Sequence, residues 1–377
     1  MKNHIINFDN AATTFPKPDE VKKSVIYAIE HCGGSAGRGG HSLSMHTSQL
    51  VYNARQAAAD FFDAQTENVI FTSSCTQALN TAIKGVLKSG SHVVTSSIEH
   101  NSVIRPLMAL SKQGKITLSI AKVYNDNLKT IDAFENAINV KTQAVICTIA
   151  GNVTGQLLPI KEIAEMCSKR NICFIADGAQ ACGIIPVSLK SGINILCTSG
   201  HKGLYGIAGT GLLITDGKYK IEPLTQGGTG SGSLELTQPD FMPDSLESGT
   251  LNTPGILSLK SGIDFIKKRT VQDISGYEEK LSSIFLSNMR DFDKIKIYRS
   301  PDAQYVPIIS FNAKDIPSEK FASYLNEKGF CLRAGFHCSA MAHKSLGTES
   351  GTIRFAPSVF NTENEVKKLC FTIKNAF

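Results

Sequence analysis

Several features that mark large classes of proteins are missing from this sequence. None of its ten cysteines forms a Cys-x-x-Cys pair, which argues against zinc ribbons and thioredoxin-type redox motifs. No Lys/Arg run reaches the length typical of nucleic-acid tails, and the net charge over 377 residues is only +6. No apolar run approaches a membrane span, and the first residues lack the basic and apolar segments of a signal peptide. We therefore expect no nucleic-acid partner and no membrane association.

The composition that is present indicates a large cytoplasmic enzyme. Apolar residues make up 42% of the chain, which suffices for a sizeable core, and charged residues make up 19%, which argues against disorder. Cys147, Cys173 and Cys197 lie inside apolar runs, where a reduced thiol behaves as a small apolar side chain. Such cysteines are typical of a reducing compartment rather than of a secreted, disulfide-linked scaffold.

Strand-like and helix-like segments alternate through the middle of the chain. Short β-rich runs predict strands at residues 68–72, 92–97, 115–121, 143–149, 172–176, 193–198 and 211–215. Helices are predicted at residues 44–62, 76–88, 101–113, 130–139, 159–170 and 255–269. Several of the strands are continuous apolar runs, as expected for strands that are covered on both faces. This alternation predicts an α/β fold with a mainly parallel sheet and helices on both faces.

The pattern changes after this alternating region. Residues 227–254 are rich in Gly, Ser, Thr and Pro, and we predict that they form a long functional loop. The residues from there to 377 have a different order of helices and strands, which indicates a smaller second domain.

Polar turns follow the predicted strands, at the edge of the sheet where ligands bind in α/β proteins. Residues 73–76 precede a helix, so their free N–H groups and the helix dipole favour an anion, with ordinary N-capping as the alternative. Asp177 ends an apolar strand, and a buried carboxylate needs a metal, a basic side chain or a protonated heterocycle as partner. A solvent-facing Asp-Gly turn is the alternative for Asp177.

A lysine and a histidine in two further loops are candidates for catalysis. Lys202 lies among glycines after another apolar strand and is a candidate Schiff-base nucleophile, although an exposed loop lysine would fit the same pattern. Its loop lacks the spacing of an ATP-binding phosphate loop. His100 follows the strand at 92–97, where its ring could act as a base, as a ligand or as a flat stacking surface.

One cysteine lies in a different setting from the cysteines in apolar runs. Cys338 is in a polar loop beside His337 and near Arg333, a setting that favours a reactive thiolate; an incidental exposed cysteine is the alternative. His337, Cys338 and His343 lack a fourth ligand at a recognised spacing, so we expect no metal site.

In chain order, these segments resemble the class V aminotransferase superfamily, and within it the cysteine desulfurases. The matching segments are FDNAATT, FTSSCTQALN, EHNSV, GNVTGQLLPIKEIAE, DGAQACG, SGHKGLYGIAGTG, ESGTLNTPG, RAGFHCSA and IRFAPSVFNTENEV. They extend from about residue 7 to residue 366 and so cover almost the whole chain. SGHK together with DGAQ indicates pyridoxal 5′-phosphate (PLP), and RAGFHC is similar to the group II desulfurases, in which a short loop carries the catalytic cysteine.

The resemblance implies fold type I of the PLP enzymes. That fold has a large domain with a seven-stranded, mainly parallel sheet, a smaller C-terminal α+β domain, and a homodimeric assembly. We therefore expect a large PLP-binding domain at residues 16–254. Residues 1–15 and 255–377 are expected to form the small domain, which includes the loop of the catalytic cysteine.

The resemblance also implies a role for each matching side chain. Lys202 would bond to PLP and remove a substrate proton, Asp177 would pair with the pyridine nitrogen, and Cys338 would attack the substrate sulfur. His100 would stack on the PLP ring and is the third expected catalytic residue. Further cofactor contacts would come from Gln180, Cys75, Thr76, Ser199, His201 and, in the other subunit, Thr250. Substrate contacts would come from Arg354, Asn152, His41 and Arg333.

The implied reaction converts L-cysteine to L-alanine and leaves a persulfide on Cys338 for a sulfur-acceptor protein. The alternatives are a lyase that acts on L-selenocysteine or another sulfur amino acid, a class V transaminase, and an inactive scaffold of the same fold. Three features depart from the common pattern of the resemblance. Cys75 replaces a frequent Thr, Phe336 stands where many group II members have a second His, and residues 339–351 differ.

Overall fold

The computed structural model describes residues 5–37 and 39–377, and its largest element is a seven-stranded sheet. The strands are β2 (Val69–Thr72), β3 (Ser91–Ser96), β4 (Ile116–Ala121), β5 (Thr142–Thr148), β6 (Cys173–Asp177), β7 (Ile195–Ser199) and β8 (Gly211–Thr215). Their order is β2-β8-β7-β6-β5-β3-β4. All neighbours are parallel except β8, which runs antiparallel to both β2 and β7. The predicted α/β fold with a seven-stranded, mainly parallel sheet is confirmed.

The inner strands are apolar on both faces because helices cover both faces. In β6, Phe174 packs into one core and Ile175 into the other; in β7, Leu196 and Ile195 do the same. Neighbouring residues point to opposite faces of a strand, so a strand between two cores needs no polar positions. This explains why these strands are continuous apolar runs in the sequence.

Helices on the two sides of the sheet form the outer layers. They are α1 (Asp19–His31), α2 (Ser42–Phe62), α3 (Cys75–Val86), α4 (Asn101–Lys112), α5 (Asn127–Ala137), α6 (Ile160–Lys169) and α7 (Thr253–Arg269). Helices α3 and α4 share the core of one face, and the other helices share the core of the opposite face. Helices α2, α3, α5 and α7 begin one to three residues earlier than predicted, and the caps of α5 and α7 show why. Asp126 accepts a hydrogen bond from Leu128 N at the start of α5, and Asn252 accepts one from Gly255 N at the start of α7.

The remaining elements build a second, smaller sheet with its own core. They are β1 (Ile6–Asn7), α8 (Val271–Met289), β9 (Ile295–Ile297), β10 (Ile309–Ala313), α9 (Ser318–Glu327), β11 (Phe330–Cys331), β12 (Arg333–Gly335), α10 (Ala340–Leu346), β13 (Thr352–Phe355) and α11 (Glu363–Lys374). Four strands pair antiparallel in the order β12-β13-β10-β9, and β1 pairs parallel with β11. Phe8, Phe285 and Phe355 stack at the centre of this core. The domain limits stay a prediction.

None of the helices in the described ranges combines the length and the apolar character that crossing a bilayer requires.

A buried ion pair fixes the end of the long loop to the large sheet. Arg55 binds both carboxylate oxygens of Glu247 at 2.7 Å, and Glu247 also accepts a hydrogen bond from Phe71 N at 2.6 Å. The guanidinium lies over the Phe71 ring, 4.6 Å from its centroid. Both charged side chains are largely buried, at 9% and 6% exposure. Removing one partner would therefore leave an uncompensated charge in the interior.

We expect Arg55→Met to lower the free energy of unfolding by about 3–5 kcal/mol, because Glu247 would stay buried without its partner. Urea unfolding followed by circular dichroism measures this loss. Arg170→Met is the matched control, since Arg170 pairs with Glu135 at the surface, where ion pairs contribute about 0–1 kcal/mol. Equal losses of unfolding free energy in the two variants would show that burial of the Arg55–Glu247 pair makes no difference. The Arg55→Met/Glu247→Met double variant should recover part of the stability, because no charge is then left buried without a partner.

Candidate active site

Most of the predicted site residues meet at one cavity beside the carboxyl ends of β5, β6 and β7. The cavity has a volume of about 190 Å³. It is lined by Ser74, Cys75, Thr76, His100, Ser102, Thr148, Asn152, Asp177, Ala179, Gln180, Ser199, His201 and Lys202. Strand ends of a parallel sheet meet along one edge, so residues far apart in sequence are brought together there.

The amino-terminal end of α3 forms one wall of the cavity, and its geometry suits an anion. Ser74 caps the helix by accepting a hydrogen bond from Gln77 N at 3.2 Å, and the hydroxyls of Thr76 and Ser102 lie 2.8 Å apart. Opposite them, Ser199 Oγ and His201 Nδ1 are buried with no hydrogen-bond partner. Buried polar atoms of this kind normally have partners. Together with the helix dipole, they indicate a site for an anionic group such as a phosphate.

His100 is held as a neutral ring with a defined tautomer. Ser102 N donates to His100 Nδ1 at 3.1 Å, so Nδ1 is an acceptor and the neutral ring has its proton on Nε2. Burial lowers the pKa of His100, which favours this neutral form. Ser102 Oγ also lies 2.8 Å from Nδ1. Ser102 thus links His100 to Thr76; it lies inside the EHNSV segment, but no role had been assigned to it.

Asp177 lies at the end of β6 with most of its surface buried. Its Oδ1 accepts hydrogen bonds from Ala179 N at 2.9 Å and from the Cys75 thiol at 3.5 Å. Burial raises the pKa of Cys75, and the nearby Asp177 charge raises it further, so Cys75 is a thiol donor rather than a thiolate. A buried carboxylate that faces a cavity can pair with a cationic ligand atom, such as a protonated heterocyclic nitrogen.

Lys202 follows β7 on a tightly packed turn. A Cβ at Gly203 would meet Cys182 O at 2.4 Å, so only glycine allows this close approach of the backbone. Thr14 donates from its hydroxyl to Lys202 O at 2.9 Å, and Lys17 Nζ donates to His201 O at 2.7 Å. Burial of the Lys202 amine lowers its pKa, which favours the unprotonated, nucleophilic form.

Cys338 differs from the other cysteines in its exposure and in its neighbours. All ten cysteines are free, and Cys338 is the one that is exposed rather than buried or half-buried. Its Sγ lies 3.4 Å from Arg333 Nη2, in agreement with the predicted proximity of these two residues. By contrast, burial raises the pKa of both Cys167 and Cys182 to about 12, which keeps those thiols protonated.

Arg354 is buried beside the Cys338 loop and is only partly paired. Its Nη1 donates to Asn152 O at 2.9 Å and its Nη2 donates to Asp9 Oδ1 at 2.8 Å. Its Nε is buried without a partner. A guanidinium has five N–H groups, so donors remain for a bound carboxylate. Asp9 lies inside the FDNAATT segment, but no feature of that segment predicted its ion pair with Arg354.

Five of the predicted residues do not line this cavity, namely Cys338, Arg333, Arg354, Thr250 and His41. Thr250 is exposed and lines a separate cavity of about 210 Å³ together with Thr72 and Asn252. His41 is exposed at the start of α2, where its Nδ1 accepts from Ser44 N at 3.4 Å. Within residues 5–37 and 39–377, no cluster of His, Cys, Asp and Glu side chains is arranged to hold a metal ion.

The site combines a capped helix amino terminus, a buried carboxylate and an amine with a lowered pKa, as the resemblance to class V aminotransferases implies. The exposed thiol nearby is the feature that the resemblance to the desulfurases adds. The sequence profile of the family described as "Aminotransferase class-V" matches residues 6–369. The chain belongs to this family.

Relatives within the family are named as desulfurases. The chain is 28% identical to a "Probable cysteine desulfurase" of Methanothermobacter thermautotrophicus, over 99% of this chain and 95% of that protein. It is 26% identical to a "Cysteine desulfurase" of Haloferax volcanii, over 99% of this chain and 89% of that protein. The fold matches the apo structure of the cysteine desulfurase from Thermococcus onnurineus, with a TM-score of 0.90 and 24% identity. That match covers 99% of this chain and 94% of the other.

Proposed function

We propose that this chain is a PLP-dependent cysteine desulfurase, which converts L-cysteine to L-alanine and retains the sulfur on Cys338. The observation that carries the proposal is the position of an exposed thiol at the rim of a lysine-containing cavity. Cys338 O accepts a hydrogen bond from Asn101 N at 2.8 Å. His100, the residue before Asn101, lines the cavity, so Cys338 lies close to it. The names of the relatives support the same reaction.

The residues around the cavity fit PLP. Asp177 would hold the pyridine nitrogen, Lys202 would bond to the aldehyde carbon, and Gln180 would bind the phenolic oxygen. The unpartnered atoms Ser199 Oγ and His201 Nδ1, with Thr76 and the start of α3, would hold the phosphate. When bound, PLP supplies an electron sink that makes bonds at the substrate's carbon atoms easier to break.

The side chains of this protein have distinct tasks in the proposed reaction. Arg354 and Asn152 would bind the substrate carboxylate, and His100 would contact the cofactor ring as a neutral imidazole. Lys202, with its lowered pKa, would accept the proton from the substrate's Cα and return it at a later stage.

Sulfur transfer is the step assigned to Cys338. The Cys338 thiolate attacks the sulfur of L-cysteine, a sulfur–sulfur bond forms, and the carbon–sulfur bond breaks. The electron pair of the broken bond stays with the substrate's Cβ, which takes up one proton, in place of the one that the substrate thiol gives up, and becomes the methyl group of L-alanine. The substrate sulfur is oxidised to a persulfide and the carbon is reduced, so no external oxidant is needed. The outer sulfur of the persulfide would then pass to a thiol of an acceptor protein, which frees Cys338 for the next turnover. Because Cys338 must be a free thiol at the start of each cycle, the reaction requires a reducing compartment such as the cytoplasm.

Product analysis tests the proposed reaction against its alternatives. The PLP-loaded protein is incubated with L-cysteine and a thiol reductant, without any keto acid, and alanine and sulfide are measured. Equal amounts of both products would support the desulfurase. Turnover only in the presence of a keto acid would indicate a transaminase, and turnover only in a parallel reaction with L-selenocysteine would indicate a selenocysteine lyase. A protein that binds PLP but turns over neither substrate would favour the inactive scaffold.

We also propose that the enzyme works as a homodimer. Thr250 and His41 are exposed and lie outside the cavity of their own chain, as expected for side chains that complete the site of a second subunit. Light scattering coupled to size-exclusion chromatography measures the assembly. A fully active monomer would contradict this part of the proposal.

We expect Arg354→Lys to raise the KM for L-cysteine roughly 10- to 100-fold, because a lysine cannot offer the paired donors that a carboxylate accepts. Steady-state kinetics with alanine detection measure this change. Arg170→Lys is the control, because Arg170 pairs with Glu135 on the surface and should leave KM unchanged. An unaltered KM in Arg354→Lys would show that this residue does not bind the substrate carboxylate.

A further inference from the structure

Three consecutive residues of the Cys338 loop are tied to the large sheet by hydrogen bonds. His337 O accepts from Asn152 Nδ2 at 2.7 Å, and Cys338 O accepts from Asn101 N at 2.8 Å. Ser339 Oγ donates to Asn152 Oδ1 at 2.6 Å. The side-chain amide of Asn152 thus binds the residue before Cys338 and the residue after it.

The backbone of this loop needs such support because its conformation is unfavourable. The φ angles of His337 and Cys338 are +48° and +60°, in the left-handed region that non-glycine residues rarely adopt. Two such residues in succession persist only when their surroundings hold them in place. The hydrogen bonds from Asn101 and Asn152 are made by backbone and side-chain groups that are themselves fixed in the fold.

Asn152 also connects the loop to the expected carboxylate-binding residue. Arg354 Nη1 donates to Asn152 O at 2.9 Å, and Asn152 lines the cavity. Its amide nitrogen uses one hydrogen for His337 O, which leaves the other hydrogen for a ligand. Ser339 and Asn152 are both buried, so water does not replace their hydrogen bond.

We propose that Ser339 is a positioning residue whose hydrogen bond to Asn152 holds Cys338 in the orientation required to take sulfur from the substrate. This inference rests on the proposed function and adds a residue for which the sequence pattern gave no role. Ser339 does not line the cavity. Its effect is therefore expected in the sulfur-transfer step and not in substrate binding.

Kinetics of Ser339→Ala test the proposal. We expect kcat for alanine formation, and the rate of persulfide formation at Cys338, to fall roughly five- to tenfold, the effect of one buried hydrogen bond. The KM for L-cysteine and the absorbance of bound PLP should stay at wild-type values, and the Tm should fall only slightly, as for the loss of one buried hydrogen bond. Ser345→Ala is the matched control, because the hydroxyl of Ser345, in α10, donates to Ser97 O and not to Asn152, and this variant should keep the wild-type kcat.

A double-mutant cycle shows whether the effect passes through Asn152. Asn152→Ala should lower kcat and also raise KM, since it removes a predicted substrate contact. Adding Ser339→Ala to Asn152→Ala should cost nothing more, because the hydrogen bond is already gone. Fully additive effects would overturn the proposed link between the two residues.

The remaining outcomes separate this inference from the proposed function. If the wild-type protein makes alanine and the persulfide and Ser339→Ala matches it in rate, the positioning role is wrong. A loss of rate that comes with lost PLP absorbance, or with a much larger fall in Tm than one lost hydrogen bond explains, would also overturn it, since the hydroxyl would then be merely structural. If the wild-type protein forms neither product, the proposed function itself fails.

Discussion

Lys202→Ala is expected to reduce alanine formation from L-cysteine by roughly 10³-fold or more, because the variant loses both the amine that bonds to PLP and the proposed base. Borohydride reduction should attach PLP covalently to the wild-type protein and leave the variant unlabelled. Mass spectrometry of the peptide that contains Lys202 measures the attachment. The lowered pKa of this amine supports its role as nucleophile and base.

Lys190→Ala is the control for this experiment. Lys190 is an exposed lysine that pairs with Asp63 at 2.8 Å, and neither residue lines the cavity. It should retain the wild-type rate and the wild-type labelling. If borohydride attached PLP to Lys202→Ala as well as to the wild-type protein, another lysine would be the one that bonds to PLP, and the assignment would be wrong.

Cys338→Ala is expected to form no persulfide and to lose alanine formation by roughly 10³-fold or more, as when a nucleophile is removed from an enzyme. PLP absorbance should remain, because Cys338 lies at the rim of the site and does not line the cavity. The substrate should still bind, so spectral changes on addition of L-cysteine separate binding from sulfur transfer.

Cys331→Ala is the matched control for the thiol. Cys331 is a half-buried cysteine in the neighbouring strand β11, and burial raises its pKa. We expect this variant to retain full activity. Full alanine formation by Cys338→Ala would show that the carbon–sulfur bond breaks without a cysteine nucleophile, and the protein would then be a lyase of a different kind.

The large sheet was predictable from the sequence because burial on both faces leaves a simple signal. Apolar runs such as the one before Asp177 mark a strand whether or not its neighbours are known. The first residue of each helix was harder to predict, because a single capping side chain decides where a helix begins. Asp126 moves the start of α5 to Asn127, earlier than apolar periodicity indicates.

The candidate site was predictable only in part. Residues that directly follow a strand, such as Asp177 and Lys202, could be placed because strand ends share one edge of the sheet. The partners of those residues could not be placed, because they come from distant segments. Asp9 and Arg354 form an ion pair although they are 345 residues apart in sequence, and Ser339 and Asn152 form a hydrogen bond although they are 187 residues apart. Spacing along the chain contains no information about such contacts.

Some expected roles stay predictions because one chain alone cannot test them. Thr250 is expected to act in the site of a second subunit, and its exposed position agrees with that expectation. The expected contact of His41 with the substrate also stays a prediction, and its place in a second subunit's site is part of the proposal for a homodimer. Cys75, which stands where relatives often have a Thr, donates its thiol hydrogen to Asp177 at 3.5 Å.

Mass spectrometry of Cys338 after a single exposure to L-cysteine tests the central proposal most directly. The PLP-loaded protein is mixed with L-cysteine in the absence of reductant, quenched with an alkylating agent and digested. We expect the peptide with Cys338 to gain the mass of one sulfur atom, alanine to appear in equal amount, and the peptide with Cys331 to stay unchanged. Alanine formed without added sulfur on Cys338, or sulfur found equally on several cysteines, would show that Cys338 is not the specific sulfur acceptor.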